Sequence, residues 1–179
     1  IYAEDARLVG AVIETLTVLI DRSLKGNESE YPPVRSLLAR LAAEPRRPAP
    51  PTPCELPVVR CWPAALAGLQ DQEGASLTPL LQQLTPRLSW WQGEHYTAAT
   101  MGAAFVENYA LAELLGPRGL CRSADLALGI LLLGPDTYYP PHYHPAEEGL
   151  YLLSGRGTWH LDRGPTISLP PGGVVHIPA

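Results

Sequence analysis

Gly134-Pro135-Asp136-Thr137-Tyr138-Tyr139-Pro140-Pro141-His142-Tyr143-His144-Pro145-Ala146-Glu147-Glu148-Gly149-Leu150-Tyr151-Leu152-Leu153-Ser154-Gly155 is the stretch on which the reading of this 179-residue chain turns. In an extended segment side chains alternate, so His142 and His144 are expected to project the same way and share one ion. A turn at Pro145-Ala146-Glu147 then brings Glu148 into the next strand, facing the same interior. A lone histidine would carry little weight, but two at this spacing followed by a carboxylate form a ligand set. Two imidazoles and one carboxylate leave coordination positions open, which suits catalysis; a closed structural site would use four protein ligands. The expected cofactor is one divalent transition metal: iron, zinc, manganese or nickel.

Around this stretch the texture is that of short strands, punctuated at Gly116-Pro117, Gly134-Pro135, Gly155, Gly164-Pro165 and Pro170-Pro171-Gly172-Gly173. Strands are expected near 124–133, 148–153, 157–161, 166–169 and 174–177, spaced as in a sandwich or barrel. The first half reads differently. From Glu4 to Leu24, Leu8, Val9, Val12, Ile13, Leu16, Leu19 and Ile20 recur at helical steps, and a second helix is expected after Tyr31 through Val34, Leu37, Leu38 and Leu41. Their apolar faces are expected to cover the barrel or to pair two subunits of a homodimer. The prolines of 45–53 predict a stiff linker that is neither helix nor sheet. Trp62 to Gln70 and Ser76 to Leu84 read as two further short helices. The expected organisation is therefore a helical N-terminal extension, 1–87, followed by a β domain, 88–179.

The 13 basic and 18 acidic residues argue against a nucleic-acid partner. The longest apolar run, Leu126 to Leu133, is too short to span a membrane. No basic region followed by an apolar stretch opens the chain, and Cys54, Cys61 and Cys121 are too few and scattered for a disulfide framework, so a cytoplasmic location is expected.

The spacing His-x-His, three residues, Glu, six residues, Gly, from His142 to Gly155, resembles the first motif of the cupins at every required position. Gly172-Gly173-Val174-Val175-His176-Ile177-Pro178 is similar to the first half of their second motif. By this resemblance the last metal histidine is expected about four residues past Ala179, and His176 is a substitute at a variable position of the strand. The resemblance implies a mainly β fold, a cupin barrel preceded by the helical region.

Trp90-Trp91-Gln92 with Tyr96, Phe105 to Pro117, Leu131 to Pro135 and Tyr139 to Glu148 narrow the likeness to the cupin-type dimethylsulfoniopropionate lyases of marine bacteria. That resemblance implies a metal-dependent β-elimination of a small-molecule substrate, giving dimethyl sulfide and acrylate, with a tyrosine as base. Tyr139 matches a tyrosine that the family carries before the first metal histidine and is one of two candidate bases. The family's other tyrosine lies two residues after the metal glutamate, where this chain has Leu150; Tyr151, one further on, is the expected base if a bulge at Gly149 turns it toward Glu148. A sulfonium has no hydrogen-bond donor, so aromatic faces are expected to recognise it, with Trp91, Tyr96, Tyr138 and Trp159 as candidates beside Tyr139. An iron-dependent cupin dioxygenase uses the same ligand set, and a non-catalytic ligand-binding cupin shares the barrel; both alternatives stay open.

Overall fold

The computed structural model describes residues 2–25, 32–49, 56–69, 73–143, 145–161 and 164–178. Its contacts divide the chain into two units, each assembled from separate segments. The first comprises Ile1–Gly10, Glu44–Ala64 and Gln83–Tyr143; the second comprises Ala11–Ala43, Ala65–Gln82 and His144–Ala179.

Helix α1 (Tyr2–Ser23) runs through both sets of segments. It has the charge order that suits the helix dipole, with Glu4 and Asp5 in the first turn and Arg22 in the last. Its apolar stripe, Leu8, Val9, Val12, Ile13, Leu19 and Ile20, is buried, as the periodicity predicts. Helix α2 (Pro32–Ala43) opens on two prolines, which the donor-free first turn tolerates.

The first unit is built on a five-stranded sheet. Its centre is β3 (Tyr109–Gly116), which pairs antiparallel with β5 (Leu128–Leu133) along one edge, with an irregularity between Glu113 and Leu115. The other edge is shared by β2 (Trp90–Trp91), antiparallel, and β4 (Cys121–Arg122), parallel. Beyond β4 lies β1 (Arg47–Pro48).

The sheet departs from the expected strands in two of its members. The proline-rich linker contributes a strand: Arg47 and Pro48 pair with Arg122 and Cys121, and Ala49 N–H donates to Leu120 O at 2.8 Å. A proline is tolerated there because β1 is an edge strand. The central strand β3 was not among the expected strands, since Tyr109-Ala-Leu-Ala-Glu-Leu-Leu-Gly116 is rich in helix formers; burial between β5 and β2 overrides that propensity.

Alternation along β3 gives the sheet two faces. Trp90, Ala110, Ala112, Ile130 and Leu132 are buried on one, where Trp62 meets Trp90 edge-on at 5.4 Å between ring centres and hydrogen-bonds Thr85 through its indole N–H at 2.9 Å. Trp91, Tyr109, Leu111, Glu113, Leu131 and Leu133 lie on the other. Short helices α3 (Trp62–Ala67), α4 (Thr78–Leu84), α5 (Ala98–Met101) and α6 (Ala103–Glu107) fill the connections; a Thr97–Thr100 capping box starts α5, and Gly102, at φ 87°, separates α5 from α6. A buried ion pair, Asp5 to Arg87 at 2.7 Å, ties the first turn of α1 to the segment preceding β2.

The second unit carries two antiparallel pairs, β6 (Glu148–Tyr151) with β9 (Val174–Ile177), and β7 (Gly157–His160) with β8 (Thr166–Leu169). Ile20 and Leu24 from the end of α1 join Val34 and Leu38 of α2 around Val174 and Tyr151. At the far end of α1 the Ser23 hydroxyl donates to Gly172 O at 2.5 Å, in a turn where Gly172 takes φ 87°.

Helix outweighs strand, and among the described residues every sheet is open. The architecture is mixed α and β rather than mainly β, because α1, α2 and the short helices between 57 and 107 hold more residues than the strands, and the five expected strands form over only four to six residues each. No helix among the described residues is long and apolar enough to cross a membrane.

Candidate functional site

In the first unit, the segment after β5 is fixed by a close approach. Gly134 N–H donates to Asn108 O at 2.8 Å, and a Cβ at Gly134 would collide with Asn108 Oδ1. Thr137 Oγ1 donates back to Gly134 O at 2.8 Å, and Asp136 takes φ 51°, a left-handed geometry that aspartate tolerates better than most side chains. The chain then enters Tyr138-Tyr139-Pro140-Pro141-His142. Consecutive prolines favour polyproline geometry, with three residues per turn, so residues three apart share a side. Tyr139 and His142 obey that period: their rings stack 4.3 Å apart at an interplanar angle of 9°. The alternation expected of a strand at His142 is replaced by this threefold repeat.

The opposite face of Tyr139 lies on Phe105, 4.6 Å between centres, and Phe105 stacks on Tyr109 at 4.7 Å. The Tyr139 hydroxyl donates to the Tyr96 hydroxyl at 3.2 Å, and the Tyr96 ring is 6.1 Å from His142. Gln92 clamps this corner, its amide donating to Val106 O at 2.5 Å and Tyr109 O at 2.7 Å. Phe105 and Tyr109 are buried, Tyr96 and Tyr139 half-buried, His142 exposed. His142 Nδ1 lies 3.0 Å from Pro140 O, which orients the imidazole.

The structure thus brings together three residues singled out in the sequence, Tyr96, Tyr139 and His142. Two members of the cluster were not proposed as site residues: Phe105, the only phenylalanine of the chain, and Tyr109. Both lie within the segment that carries the family likeness. Their helix-like surroundings hid the fact that Tyr109 opens a strand.

The other candidates stand elsewhere. Trp91 shares the sheet face of Tyr109, but the Arg118 guanidinium covers its ring at 4.5 Å and is itself held by Glu94 at 2.9 Å. Tyr138 is 72% exposed. Trp159, in the second unit, lies over Gly157, where a Cβ would collide with its ring.

Glu148 also belongs to the second unit, half-buried at the start of β6 opposite Ile177. The β6–β9 register is unbroken from Glu148↔Ile177 to Tyr151↔Val174, so the bulge that Tyr151 requires at Gly149 is absent. Tyr151 therefore turns to the face opposite Glu148, onto Ile20, Leu24, Val34 and Leu38, and Gly149 on that same face lies under Val34. The condition on which the expected role of Tyr151 rested, a bulge turning it toward Glu148, is not met in this register. His176, opposite Gly149, also lies on the helix-covered face and meets Glu147 at 3.0 Å. His144 lies outside the described residues. Among the described residues no three His, Cys, Asp or Glu side chains gather as a metal-binding group.

Residues 33–179 match the family model of dimethylsulfoniopropionate lyase. Dimethylsulfoniopropionate lyase DddQ of Ruegeria pomeroyi is 33% identical over 84 residues, 47% of this chain and 42% of that protein. The putative dimethylsulfoniopropionate lyase DddL of Cereibacter sphaeroides is 37% identical over 79 residues, 44% of this chain and 32% of its own length. The matches thus span less than half the length of these curated relatives. Among solved structures, a chain from the crystallographic study of the lyases RdDddP and RnDddQII superposes with a TM-score of 0.68 at 26% identity, covering 90% of this chain and 82% of its own. The crystal structure of DddQ from Ruegeria pomeroyi superposes with a TM-score of 0.61 at 24% identity, covering 89% and 82%, and supports the likeness of fold.

Proposed function

Since this chain belongs to the dimethylsulfoniopropionate lyase family, we propose that it splits dimethylsulfoniopropionate into dimethyl sulfide and acrylate by β-elimination, with Tyr139 as the base. The observation that carries this reading is the Tyr96–Tyr139–His142 cluster, which stacks the ring of Tyr139, its hydroxyl paired with that of Tyr96, on an exposed histidine of the His-x-His motif. The base removes the proton on the carbon next to the carboxylate. Its electron pair forms the carbon–carbon double bond as the carbon–sulfur bond breaks, and dimethyl sulfide leaves neutral with the sulfur lone pair.

The Tyr139 ring is held between His142 and Phe105, so both faces are occupied and the hydroxyl is the group on offer. Tyr96, whose hydroxyl accepts from Tyr139 in the resting state, is placed to donate in return once Tyr139 is a phenolate. Tyr96 is also the aromatic candidate beside the base; Trp91 already faces a cation in Arg118. We therefore assign sulfonium recognition first to Tyr96, ahead of Trp91, Tyr138 and Trp159.

His142, His144 and Glu148 would hold one divalent transition metal of the iron, zinc, manganese or nickel class. The donor chemistry fits: a proton on His142 Nδ1, donated to Pro140 O, leaves the lone pair on Nε2, the arrangement of a metal-ligating imidazole. When bound, the ion supplies Lewis acidity toward the substrate carboxylate. The strands of residues 88–179 are read as part of a cupin barrel, with 1–87 as its helical extension, and a homodimer through the helical extension stays part of the proposal.

The test is headspace detection of dimethyl sulfide, with acrylate assayed in the liquid phase, from protein loaded in turn with iron(II), zinc, manganese and nickel. Equal amounts of the two products are expected with at least one metal. No dimethyl sulfide with any of the four refutes the assignment.

A further inference from the structure

At the opposite end of β3 from the aromatic cluster, β1 and β4 place two arginines face to face. Arg47 and Arg122 are directly opposed in the antiparallel register. Like charges so placed repel one another, their Cβ atoms being only about 4.5–5.5 Å apart. Neither forms an ion pair among the described residues; Arg122 donates to Pro117 O, and Arg47 is exposed. Both line a cleft of about 500 Å³ with Glu44, Pro45, Pro117, Ser123, Ala124 and Asp125.

Ser123 supplies the second observation. It is 93% buried by its 7% exposure, yet it lines the cleft. Its oxygen accepts from the backbone N–H groups of Asp125 at 3.4 Å and Leu126 at 3.2 Å. Two acceptances leave the hydroxyl proton as a donor. The cleft therefore presents two guanidinium forks and one hydroxyl, all donors. Glu44 and Asp125, also in its lining, balance the two positive charges and disfavour a ligand carrying more than one negative charge.

We infer that this cleft binds a small monocarboxylate, with its carboxylate between Arg47 and Arg122 and against the Ser123 hydroxyl. The β1–β4 ladder sets the two arginines at opposed backbone positions on the rim of one cleft, so a single carboxylate there would offset the repulsion between their charges. The site shares no residue with the proposed lyase centre, and its existence does not depend on that reading.

The test is a titration with propionate, an unreactive monocarboxylate, followed on the side-chain Nε–Hε NMR signals of Arg47 and Arg122. Both signals are expected to move along one saturation curve, and Arg47→Gln is expected to weaken the response of Arg122 about tenfold. Arg122→Lys, which keeps the charge but loses the fork, is expected to weaken the Arg47 response by a smaller factor. Inorganic phosphate in a parallel titration is expected to bind more weakly than propionate. Signals that do not move with propionate, or an Arg47→Gln variant that binds as well as the parent, overturn the site. Tighter binding of phosphate overturns the monocarboxylate assignment. Lyase activity is not read in this experiment, so loss of the lyase reading would leave its outcome unaffected.

Discussion

Replacing Tyr139 by Phe separates a chemical role from a packing role. The ring would keep its contacts with His142 at 4.3 Å, Phe105 at 4.6 Å and Tyr109 at 5.7 Å. The change to these packing contacts is small, and the hydroxyl loses its bond to Tyr96, which at 3.2 Å is longer than the usual O–H···O distance. The expected stability cost is about 0.5–1 kcal/mol. For a chain of this size that lowers Tm by about 1–4 °C. Loss of a general base costs at least about a hundredfold in turnover, or about 2.7 kcal/mol of barrier. The chemical effect therefore exceeds the structural one several-fold. The assay is the rate of dimethyl sulfide release at saturating substrate, with metal content and melting curve measured on the same preparation. Tyr151→Phe is the companion variant: its ring rests on the helical cluster away from Glu148, so turnover is expected within about threefold of the parent, well short of a base's contribution. A Tyr139→Phe protein with unchanged metal and near-parental turnover would refute the assignment of the base. So would a hundredfold loss in Tyr151→Phe.

Three other outcomes are expected. Leu38→Ala removes a side chain from the cluster that joins α1 and α2 to β6 and β9, and should cost about 2–4 kcal/mol in denaturant unfolding, with a cost under about 1 kcal/mol contradicting the packing described. Gly157→Ala sets a methyl group against the Trp159 ring and should change the near-ultraviolet circular dichroism of the folded protein; an unaltered spectrum and stability would show that the ring does not lie there. Burial pushes the Cys121 thiol above its ordinary range, which lowers the thiolate fraction at neutral pH, so in a Cys54→Ser background iodoacetamide should label the half-buried Cys61 well before Cys121, as read by peptide mass spectrometry. Equal labelling rates in the folded protein would count against the burial of Cys121.

Much of the architecture is legible in the residues because it is local. The three- and four-residue recurrence from Leu8 to Ile20 specifies α1, and β8 and β9 start and stop where Gly-Pro and Pro-Pro-Gly-Gly punctuation requires. The spacing from His142 to Gly155 marks the candidate site, and the same spacing carries the family likeness. Composition misleads at β3, where Ala, Leu and Glu suit a helix but neighbours on both edges make a strand.

The remaining decisions are tertiary. Which tyrosine can serve as base depends on ladder register: one added residue at Gly149 would turn Tyr151 over, and the unbroken β6–β9 pairing leaves it on the helices. Tyr139 meets His142 because Pro140 and Pro141 favour a threefold repeat in place of the twofold one of a strand, and its ring is then held by Phe105, which lies far from it in sequence. The opposition of Arg47 and Arg122 likewise exists only once a proline-rich segment pairs with an edge strand. Residue spacing along the chain determines which side chains can act, since local periodicity is a property of the backbone itself. Which of them face one another is set by register and packing between distant segments, and no local pattern encodes that.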